Sequence, residues 1–383
     1  MRKKQPKASV RSWASERLSS EIQRSLDRLA RSDDVQHVAV MPDVHLGRDV
    51  CVGTAFATRA LLYPDAIGGD IGCGMSAVAL DASRSNLSPG VARELHHAIQ
   101  RVVPVHRQKS TVPNTTTDQV PSPDELSLPP LRSFAKAEAP RQLGTLGTGN
   151  HFLELQYDTA EDQLWLMVHS GSRGLGQAIR AAHMEHTNRS KTGLAHLDIE
   201  TPAGQDYLHD MQWARYFAST NRRAMLDAVA VATANLFGWY VLDESLLECD
   251  HNHIREEEHF GTAMFIHRKG AMSAHRDEPG VVPGSMATPS FHVVGRGVPE
   301  ALCSSAHGAG RAMSRSEARS RISRARLIQE LEDVHVDPRA IHNLREEAPS
   351  AYKDIHTVMN AQRKLVRVRR TLYPILTHKG LGS

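Results

Sequence analysis

The chain has 383 residues, of which 40% are hydrophobic and 23% are charged, a composition typical of a globular protein. This length is sufficient for one large hydrophobic core or for two ordinary domains. The net charge of +3 is too small to make the whole surface attractive to nucleic acid, so such a contact would need a local basic patch.

The start of the chain and its cysteines indicate a cellular compartment. The basic first residues lead into a polar segment rather than an apolar one, so we expect no signal peptide. The four cysteines, Cys51, Cys73, Cys249 and Cys303, show no tight pairing pattern. Together these features predict a cytoplasmic protein with reduced thiols.

The most apolar stretch of the chain is residues 224–242. It is interrupted at four positions, by Asp227, Thr233, Asn235 and Gly238. A membrane-spanning helix requires about twenty predominantly apolar residues with few or no charges. We therefore predict a buried helix that runs into a strand, and no contact with a membrane.

The first half of the chain alternates apolar segments with glycine-rich turns. Residues 11–31 carry apolar side chains at helical spacing, which predicts an amphipathic helix. Short apolar runs with β-branched residues predict strands at 35–41, 50–58 and 75–80, and a helix is predicted at 89–101. The segment 105–140 is rich in Pro, Thr and Ser and is predicted to be a surface loop or lid.

The second half continues the mixture of elements. In chain order, the predictions are strands at 153–155 and 164–168, a helix after Gly176, one or two long helices over 205–236, strands at 263–267 and 291–294, and helices at about 312–332 and 354–372. Because β-α-β alternation is not regular, an α+β fold is favoured over a doubly wound sheet. Segments rich in glycine and histidine are scattered across residues 43–310, so we expect them to converge within a single domain that comprises residues 1–383.

Histidine is the unusual feature of the composition, with 22 residues, several of them beside glycines rather than on helix faces. In the segment 68–74, Asp70 and Cys73 lie among four glycines, which permit positive φ angles and the close approach of a ligand. The alternative is a glycine-rich strand connection with a buried cysteine, which is common in proteins.

Two further segments place a histidine next to small or polar residues. In residues 147–154, a Gly-x-Gly pattern precedes Asn150 and His151, and alone it favours a turn with a hydrogen-bonded histidine. His169 ends a predicted strand and is followed by small residues and Arg173, which suit an anion cradle. The pattern is not Gly-x-Ser-x-Gly, which argues against a serine-nucleophile elbow.

Together, five side chains form a donor set suited to divalent transition metals: Asp70, Cys73, His151, His169 and His251. Five donors exceed one tetrahedral site, so a pair of metals bridged by the thiolate is the natural arrangement. Ligand softness alone favours zinc. His307 lies between small residues and is either a sixth ligand or a nucleophile that attacks phosphorus.

The chain resembles the RtcB family of RNA ligases. The resemblance rests on eight segments in the family's order: MPDVHLG (41–47), GGDIGCGM (68–75), LGTGNHFLEL (146–155), VHSGSRG (168–174), HRKGA (267–271), PGSM (283–286), SSAHGAGRAMSR (304–315) and LTHKG (376–380). It implies the family's fold, an α+β domain with one large mixed sheet and helices packed around a polar cleft that contains metal.

The resemblance also implies the cofactors and the site. The family binds two manganese ions through the five donors above, with Cys73 as the bridge, and zinc yields to manganese because the Asp70 oxygen is a hard ligand. The guanylylated histidine of the family matches His307. Its GTP contacts match Asn150, His151, Phe152, Leu153, Glu154, His251, Asn252, Pro283, Gly284, Ser285, Met286, Ser290, His307, Gly308, Ala309, Gly310 and Lys379.

The implied reaction joins RNA ends. GMP passes from His307 to an RNA 3′-phosphate, and the 5′-hydroxyl of the other RNA strand then attacks and releases GMP. A 2′,3′-cyclic phosphate end is first opened by hydrolysis. The expected partners are therefore GTP and RNA, and the expected state is a monomer. Two questions stay open: whether an accessory protein activates the enzyme, and whether the protein acts in tRNA splicing or in RNA repair.

Cations for the RNA phosphates are expected near the site, at Arg173, Lys269, Arg311 and Arg315. Arg311, Arg315 and Arg319 are four residues apart and would form one stripe on a helix. The basic run continues through Arg321, Arg324 and Arg326. The alternative to an RNA track is a solvated helix face.

The chain departs from the family pattern in one segment, and two other functions compete. Residues 106–140 match no glycine-rich family pattern, so a family phosphate contact expected there has no counterpart, and no side chain is assigned as general base. One alternative is a dinuclear metal phosphoesterase that acts on RNA ends with the same five ligands. The other is a non-catalytic RNA-binding relative.

Overall fold

The structure is a computed structural model and describes residues 8–107 and 120–380. Its strands are β1 (Ser9–Ser12), β2 (His37–His45), β3 (Val52–Thr58), β4 (Leu61–Leu62), β5 (Gly74–Leu80), β6 (Phe152–Asp158), β7 (Gln163–Ser170), β8 (Asn188–Arg189), β9 (Ala195–Asp198), β10 (Val241–Asp250), β11 (Asn252–His259), β12 (Thr262–Lys269), β13 (Ala271–Ser273), β14 (Pro279–Val282), β15 (Ser290–Gly295), β16 (Ser304–Ala306) and β17 (Val366–Lys379). Its helices are α1 (Ser20–Ala30), α2 (Pro89–Val102), α3 (Pro129–Gln142), α4 (Arg173–Met184), α5 (Pro202–Phe237), α6 (Arg315–Arg321), α7 (Arg324–Glu330), α8 (Ile341–Leu344) and α9 (Ile355–Ala361).

The largest sheet has seven strands in the order β10-β5-β7-β6-β17-β15-β14, and all neighbours are antiparallel. Antiparallel pairing brings the first residue of one strand opposite the last residue of the next. Gly74 at the start of β5 therefore pairs with Ser170 at the end of β7 and with Asp250 at the end of β10. Phe152 at the start of β6 pairs with Lys379 at the end of β17. The motif segments that flank these strands consequently meet at one end of the sheet.

A second sheet of five strands, in the order β1-β2-β3-β12-β11, lies beside this end. Its register places Asn252, the first residue of β11, opposite Lys269, the last residue of β12. The short pair of β13 and β16 follows, and Ala306 at the end of β16 leads directly into His307.

Helix α5 covers the large sheet. Its buried residues Met225, Leu226 and Val229 share a core with Val78 and Leu166 of that sheet. The helix ends at Gly238, which has a φ of 70°, and the chain then enters β10. The predicted helix-to-strand transition over residues 224–242 is confirmed, and the large sheets with packed helices confirm the predicted mixture of α and β structure. The expectation of one large mixed sheet was wrong, because the seven-stranded sheet is antiparallel and the parallel pair β1 and β2 belongs to the separate five-stranded sheet. Among the described residues, no helix is both long and apolar enough to cross a membrane.

Three predicted elements were wrong in part. The first part of residues 11–31 is extended, and the helix begins at Ser20, where the Ser19 side chain accepts a hydrogen bond from the Ile22 amide. The predicted helix over 312–332 is divided into α6 and α7, because Ser323 caps a new helix after the extended Ile322.

The prediction for residues 354–372 was also wrong beyond α9, since β17 begins at Val366 and pairs with both β6 and β15. The strands β15 and β6 supply hydrogen-bond partners for the β17 backbone. The basic sequence of this segment, read alone, does not reveal that pairing.

The predicted loop over residues 105–140 is also corrected. Residues 129–140 lie in α3, whose side chains Leu131, Ala135 and Ala139 are buried against α4 and α5. Two prolines at the start of α3 fit the first helical turn, where no backbone donor is needed. Of the remaining segment, residues 108–119 lie outside the described residues.

Candidate metal and nucleotide site

Five predicted donor side chains converge at the end of the large sheet. Asp70, Cys73 and His151 form one group of potential metal ligands, and Cys73, His169 and His251 form a second; within each group the ligand atoms lie within 4.8 Å of one another. The Cys73 Sγ atom is 3.6 Å from His151 Nε2 and 3.2 Å from His169 Nε2. The thiol is therefore common to both groups, as a bridging ligand must be.

The backbone orients two of the histidine rings. His151 Nδ1 lies 3.0 Å from the Leu146 carbonyl oxygen, and His169 Nδ1 lies 3.2 Å from that of Asn150. When Nδ1 donates its proton to a carbonyl, Nε2 keeps its lone pair and points it at the cluster. The sequence motifs predicted that both histidines belong to the site. The carbonyl groups of the turn before β6 determine the direction in which their rings point.

Burial sets the protonation of the cluster. Desolvation, followed by the neighbouring imidazoles, holds the pKa of His169 and of His251 well below the usual value. Burial alone would raise the pKa of Asp70, but His151 lowers it to about 2. Burial and then the Asp70 carboxylate raise the pKa of the Cys73 thiol well above its usual value. His169, His251 and Asp70 are thus in ligand form, whereas Cys73 must lose a proton to bind metal.

His307 lies next to this cluster and is held by a buried carboxylate. Its ring centroid is 4.6 Å from that of His251. Asp43 Oδ2 lies 2.7 Å from His307 Nδ1 and also accepts a hydrogen bond of 3.2 Å from the His307 main-chain amide. Asp43 is fully buried at the end of β2. His307 Nε2 makes no hydrogen bond to any residue that the structure describes.

A cavity of about 380 Å³ opens beside His307 and reaches the metal-ligand cluster. Such a volume is in the range of small-molecule sites. Its walls include Asp70, Cys73, Asn150, Phe152, Glu154, His169, His251, Asn252, Lys269, the 283–286 turn, Ser290, the segment 307–311, Arg315, Glu347, Tyr352 and Lys379. Most of the predicted GTP contacts therefore face one space.

Two glutamates line the cavity together with several cations. Burial raises the pKa of Glu154 to about 7, although Gln156, Lys379 and Thr377 favour its charged form. Glu347 Oε2 lies 3.2 Å from Lys379 Nζ, and its Oε1 lies 3.1 Å from Arg311 and 3.2 Å from Arg315. Three cations of the cavity wall thus share one buried carboxylate.

Comparison with known proteins identifies the family. The family described as tRNA-splicing ligase RtcB matches residues 25–127 and 124–380 of the chain. The RNA-splicing ligase RtcB of Escherichia coli strain K12 is 37% identical over 372 residues, which cover 90% of each chain. The chain belongs to the RtcB family. A tRNA-splicing ligase RtcB of Methanococcus maripaludis is 27% identical over 423 aligned positions, 90% of this chain and 88% of its own.

Three predicted residues of this RtcB-family chain lie away from the cavity wall. His151 belongs to the ligand cluster but does not line the cavity. Leu153 is fully buried in the core beneath the sheet, because side chains alternate along β6. Arg173 donates to the Thr145 side chain and to the Val105 carbonyl, so it fastens neighbouring loops.

The cations predicted to follow an RNA are largely engaged with the protein. Lys269 is buried and donates to the carbonyl oxygens of Arg48 and Asp65. Arg319 pairs with Glu346, which lies beside the shared carboxylate of Glu347. Arg321 and Arg326 pair with glutamates four residues away, Glu317 and Glu330 respectively. The arginines of the predicted stripe, Arg311, Arg315 and Arg319, therefore each have a carboxylate partner, and the side chains of Arg315 and Arg319 remain about half exposed.

Sequence reasoning missed three residues of the site. Asp43 had a local signal, since a carboxylate within an apolar strand needs a buried partner. Glu347 and Tyr352 had none, because they lie in short turns distant in sequence from every motif. Tyr352 donates a hydrogen bond to Glu347, and the Arg311 guanidinium lies 5.1 Å from its ring centroid.

Proposed function

We propose that this RtcB-family protein joins RNA 3′-phosphate or 2′,3′-cyclic phosphate ends to 5′-hydroxyl ends, with GTP as the nucleotide, two manganese ions as cofactors and His307 as the nucleophile. The observation that carries the proposal is the placement of His307 between Asp43 and the ligand cluster. A metal cluster alone would serve many reactions, whereas an oriented imidazole next to it has a specific use.

Asp43 determines which nitrogen of His307 reacts. Its carboxylate accepts a hydrogen bond from Nδ1–H, which leaves the Nε2 lone pair free to attack phosphorus. A bond forms between Nε2 and the α-phosphorus of GTP, the bond from that phosphorus to the β-phosphate oxygen breaks, and pyrophosphate leaves. The buried carboxylate stabilises the positive charge that develops on the ring.

The next two steps transfer GMP and seal the RNA. An oxygen of the RNA 3′-phosphate attacks the phosphorus of His307–GMP, and the imidazole leaves as the P–N bond breaks. The 5′-hydroxyl of the second RNA then attacks the activated 3′-phosphate, loses its proton and displaces GMP. A cyclic phosphate is first hydrolysed to give the attacking 3′-phosphate.

The donor set fits a pair of metal ions. One ion would be held by Asp70, Cys73 and His151, and the other by Cys73, His169 and His251. Such ions neutralise charge that develops on phosphate oxygens. The hard oxygen of Asp70 favours manganese over an all-soft zinc site.

The nucleotide is proposed to occupy the cavity of about 380 Å³. Asn150, Glu154, Asn252, Ser290, Lys379 and the 283–286 turn face this space and would bind GTP. The cavity wall also offers main-chain groups of Gly308, Ala309 and Gly310, where little side-chain bulk obstructs a phosphate.

A phosphoesterase would use the same ligand cluster, but its reaction does not require the His307 imidazole that Asp43 orients. A non-catalytic relative has no use for either feature. Incubation with manganese and α-labelled GTP separates the ligase from both alternatives, which predict no label. The ligase predicts an acid-labile, alkali-stable label that disappears in His307→Ala and persists in His342→Ala, a control at an exposed histidine. Joining of a 3′-phosphate RNA to a 5′-hydroxyl RNA then tests the end chemistry; sealing of 5′-phosphate ends instead would refute it.

A further inference from the structure

Strand β17 joins the cavity to a basic surface on the opposite end of the large sheet. The last part of the strand is buried and ends at Lys379 in the cavity wall. Its first part is exposed at Arg367, Val368 and Arg369. Ten residues separate Arg369 from Lys379, so a rise of about 3.3 Å per residue places them no more than about 33 Å apart.

Six exposed cations form this surface, which we call the β17 basic surface: Arg276, Arg296, Arg363, Lys364, Arg367 and Arg369. Backbone contacts bring them together from three segments. The Arg296 amide bonds to the Leu365 carbonyl, and its guanidinium bonds to that of Val366. At Gly297, the next residue, an added Cβ would lie 2.9 Å from the Arg276 main-chain nitrogen, so these two segments are adjacent. Arg367 lies in register with Val294 on β15.

A bulge in the sheet adds to the exposure of the surface. The pairing of β17 with β15 shifts between His292 and Val293, which face Arg370 and Val368. Arg369 is therefore skipped by the ladder. β-bulges reorient side chains in this way and recur near functional surfaces.

Unlike Arg311, Arg315 and Arg319 beside the cavity, these six cations have no acidic partners among the described residues. Within residues 8–107 and 120–380, none of the six forms an ion pair; Arg363 only approaches the Asn360 side chain, at 3.4 Å. Arg370, their neighbour, is by contrast paired with Asp158 and Glu161. The acids on the adjoining turns are Asp277, Glu278 and Glu300, and Glu278 is paired with Arg255, so six cations still outnumber the carboxylates.

We propose that the β17 basic surface binds the phosphate backbone of the RNA away from the reacting ends. This inference rests on the proposed RNA ligase function and names where the body of the substrate lies. Guanidinium groups without carboxylate partners are free to neutralise phosphates, and the contact requires no particular base. The arginines that follow His307 cannot serve equally, because Glu317, Glu330, Glu346 and Glu347 already neutralise most of them.

The test compares two triple variants that each remove three positive charges. One is Arg363→Ala/Arg367→Ala/Arg369→Ala, and the other is Lys136→Ala/Lys191→Ala/Arg339→Ala, whose cations are exposed but ion-paired. The probes are a long single-stranded RNA with a 3′-phosphate and a hexanucleotide with the same end. Fluorescence anisotropy measures their affinity over a series of salt concentrations.

For the long RNA, the first variant should lower the slope of log K against log salt by about 2, since each lost phosphate contact lowers it by about 0.7 for a single strand. Its affinity at low salt should fall by about tenfold or more. The control variant and hexanucleotide binding should be unchanged. An unchanged slope in the first variant would overturn the proposal. Polyglutamate serves as a third probe that mimics an acidic protein. If the first variant lost polyglutamate binding but kept RNA binding, the proposal would also be overturned, and the surface would be assigned to an acidic protein.

Labelling of His307 from GTP provides an independent readout, because it needs no RNA. The first variant should label like the unaltered protein. If the unaltered protein takes no label, the proposed ligase chemistry fails, while the RNA-binding comparison still decides the role of the surface.

Discussion

Asp43 and His307, which are 264 positions apart in the chain, are joined by two hydrogen bonds to the same carboxylate oxygen, at 2.7 Å from Nδ1 and 3.2 Å from the main-chain amide. Oδ2 therefore fixes both the backbone position of His307 and the tautomer of its ring. Close packing strengthens this constraint, since a Cβ at Gly310 would lie 2.2 Å from the Asp43 carbonyl oxygen. Asp43 acts as a positioning residue for the proposed nucleophile.

Asp43→Asn should reduce labelling of His307 by about 10²- to 10⁴-fold, because an amide can donate to Nδ1 and stabilise the wrong tautomer. Binding of GTP should change little, since Asp43 does not line the cavity. The rate of label uptake and the equilibrium affinity for GTP measure the two effects. Asp49→Asn, in the partly exposed turn after β2, is the matched control; equal labelling by both variants would show that the hydrogen bond has no catalytic role.

Cys73→Ala should remove both metal ions, because the thiol is common to both ligand groups. Asp70→Ala should remove only one ion, since Cys73, His169 and His251 are retained. Metal content after dialysis against manganese, measured by elemental analysis, distinguishes two, one and none. Cys51→Ala, a buried cysteine outside the cluster, should retain both ions. One ion retained in Cys73→Ala would contradict a shared ligand.

Glu154→Gln should change how stability depends on pH. The pKa of the folded state is about 7, against an ordinary value of 4.5. As pH rises from 4.5 to 7 the unfolded chain loses this proton while the folded chain keeps it, so the free energy of unfolding falls and then levels off. The total effect is about 3 kcal/mol for a shift of about 2.5 units.

Urea unfolding at pH 5 and at pH 8 measures the free energy of unfolding on either side of most of this change. The difference between the two free energies should be smaller for Glu154→Gln than for the unaltered protein. Glu161→Gln, at an exposed glutamate, is the control. Identical pH profiles for Glu154→Gln and the unaltered protein would show that Glu154 is not held protonated.

Glu347→Gln should destabilise the fold by about 3 kcal/mol, because Lys379, Arg311 and Arg315 would share a buried site without their carboxylate. The neighbouring Glu346→Gln should cost about 1 kcal/mol or less, since it loses pairs to half-exposed arginines. The pKa of Glu347 is lowered by Lys379 and the other partners against the effect of burial. Its contribution is therefore present above pH 4.5 and lost on acidification. Equal losses in both variants would contradict this difference.

The sequence by itself determined which side chains could form a metal-ligand cluster. The glycine-flanked Asp70 and Cys73, together with the histidines at 151, 169 and 251, predicted a shared ligand cluster, and all five side chains meet. Such motifs can be recognised in a sequence because functional groups need particular residue types on a tightly turning backbone. The apolar run at 224–242 was likewise sufficient to predict a helix followed by a strand.

Tertiary structure alone decided which charges are free. The arginine stripe after His307 looks available in sequence, but Glu346 and Glu347 approach it from a turn about thirty residues farther along the chain. The basic residues at 363–369 look helical in sequence, yet pairing with β15 places residues 366–369 in strand β17, and their charged side chains stay exposed without carboxylate partners among the described residues. Local sequence specifies the identity of a charge, whereas long-range packing specifies what neutralises it.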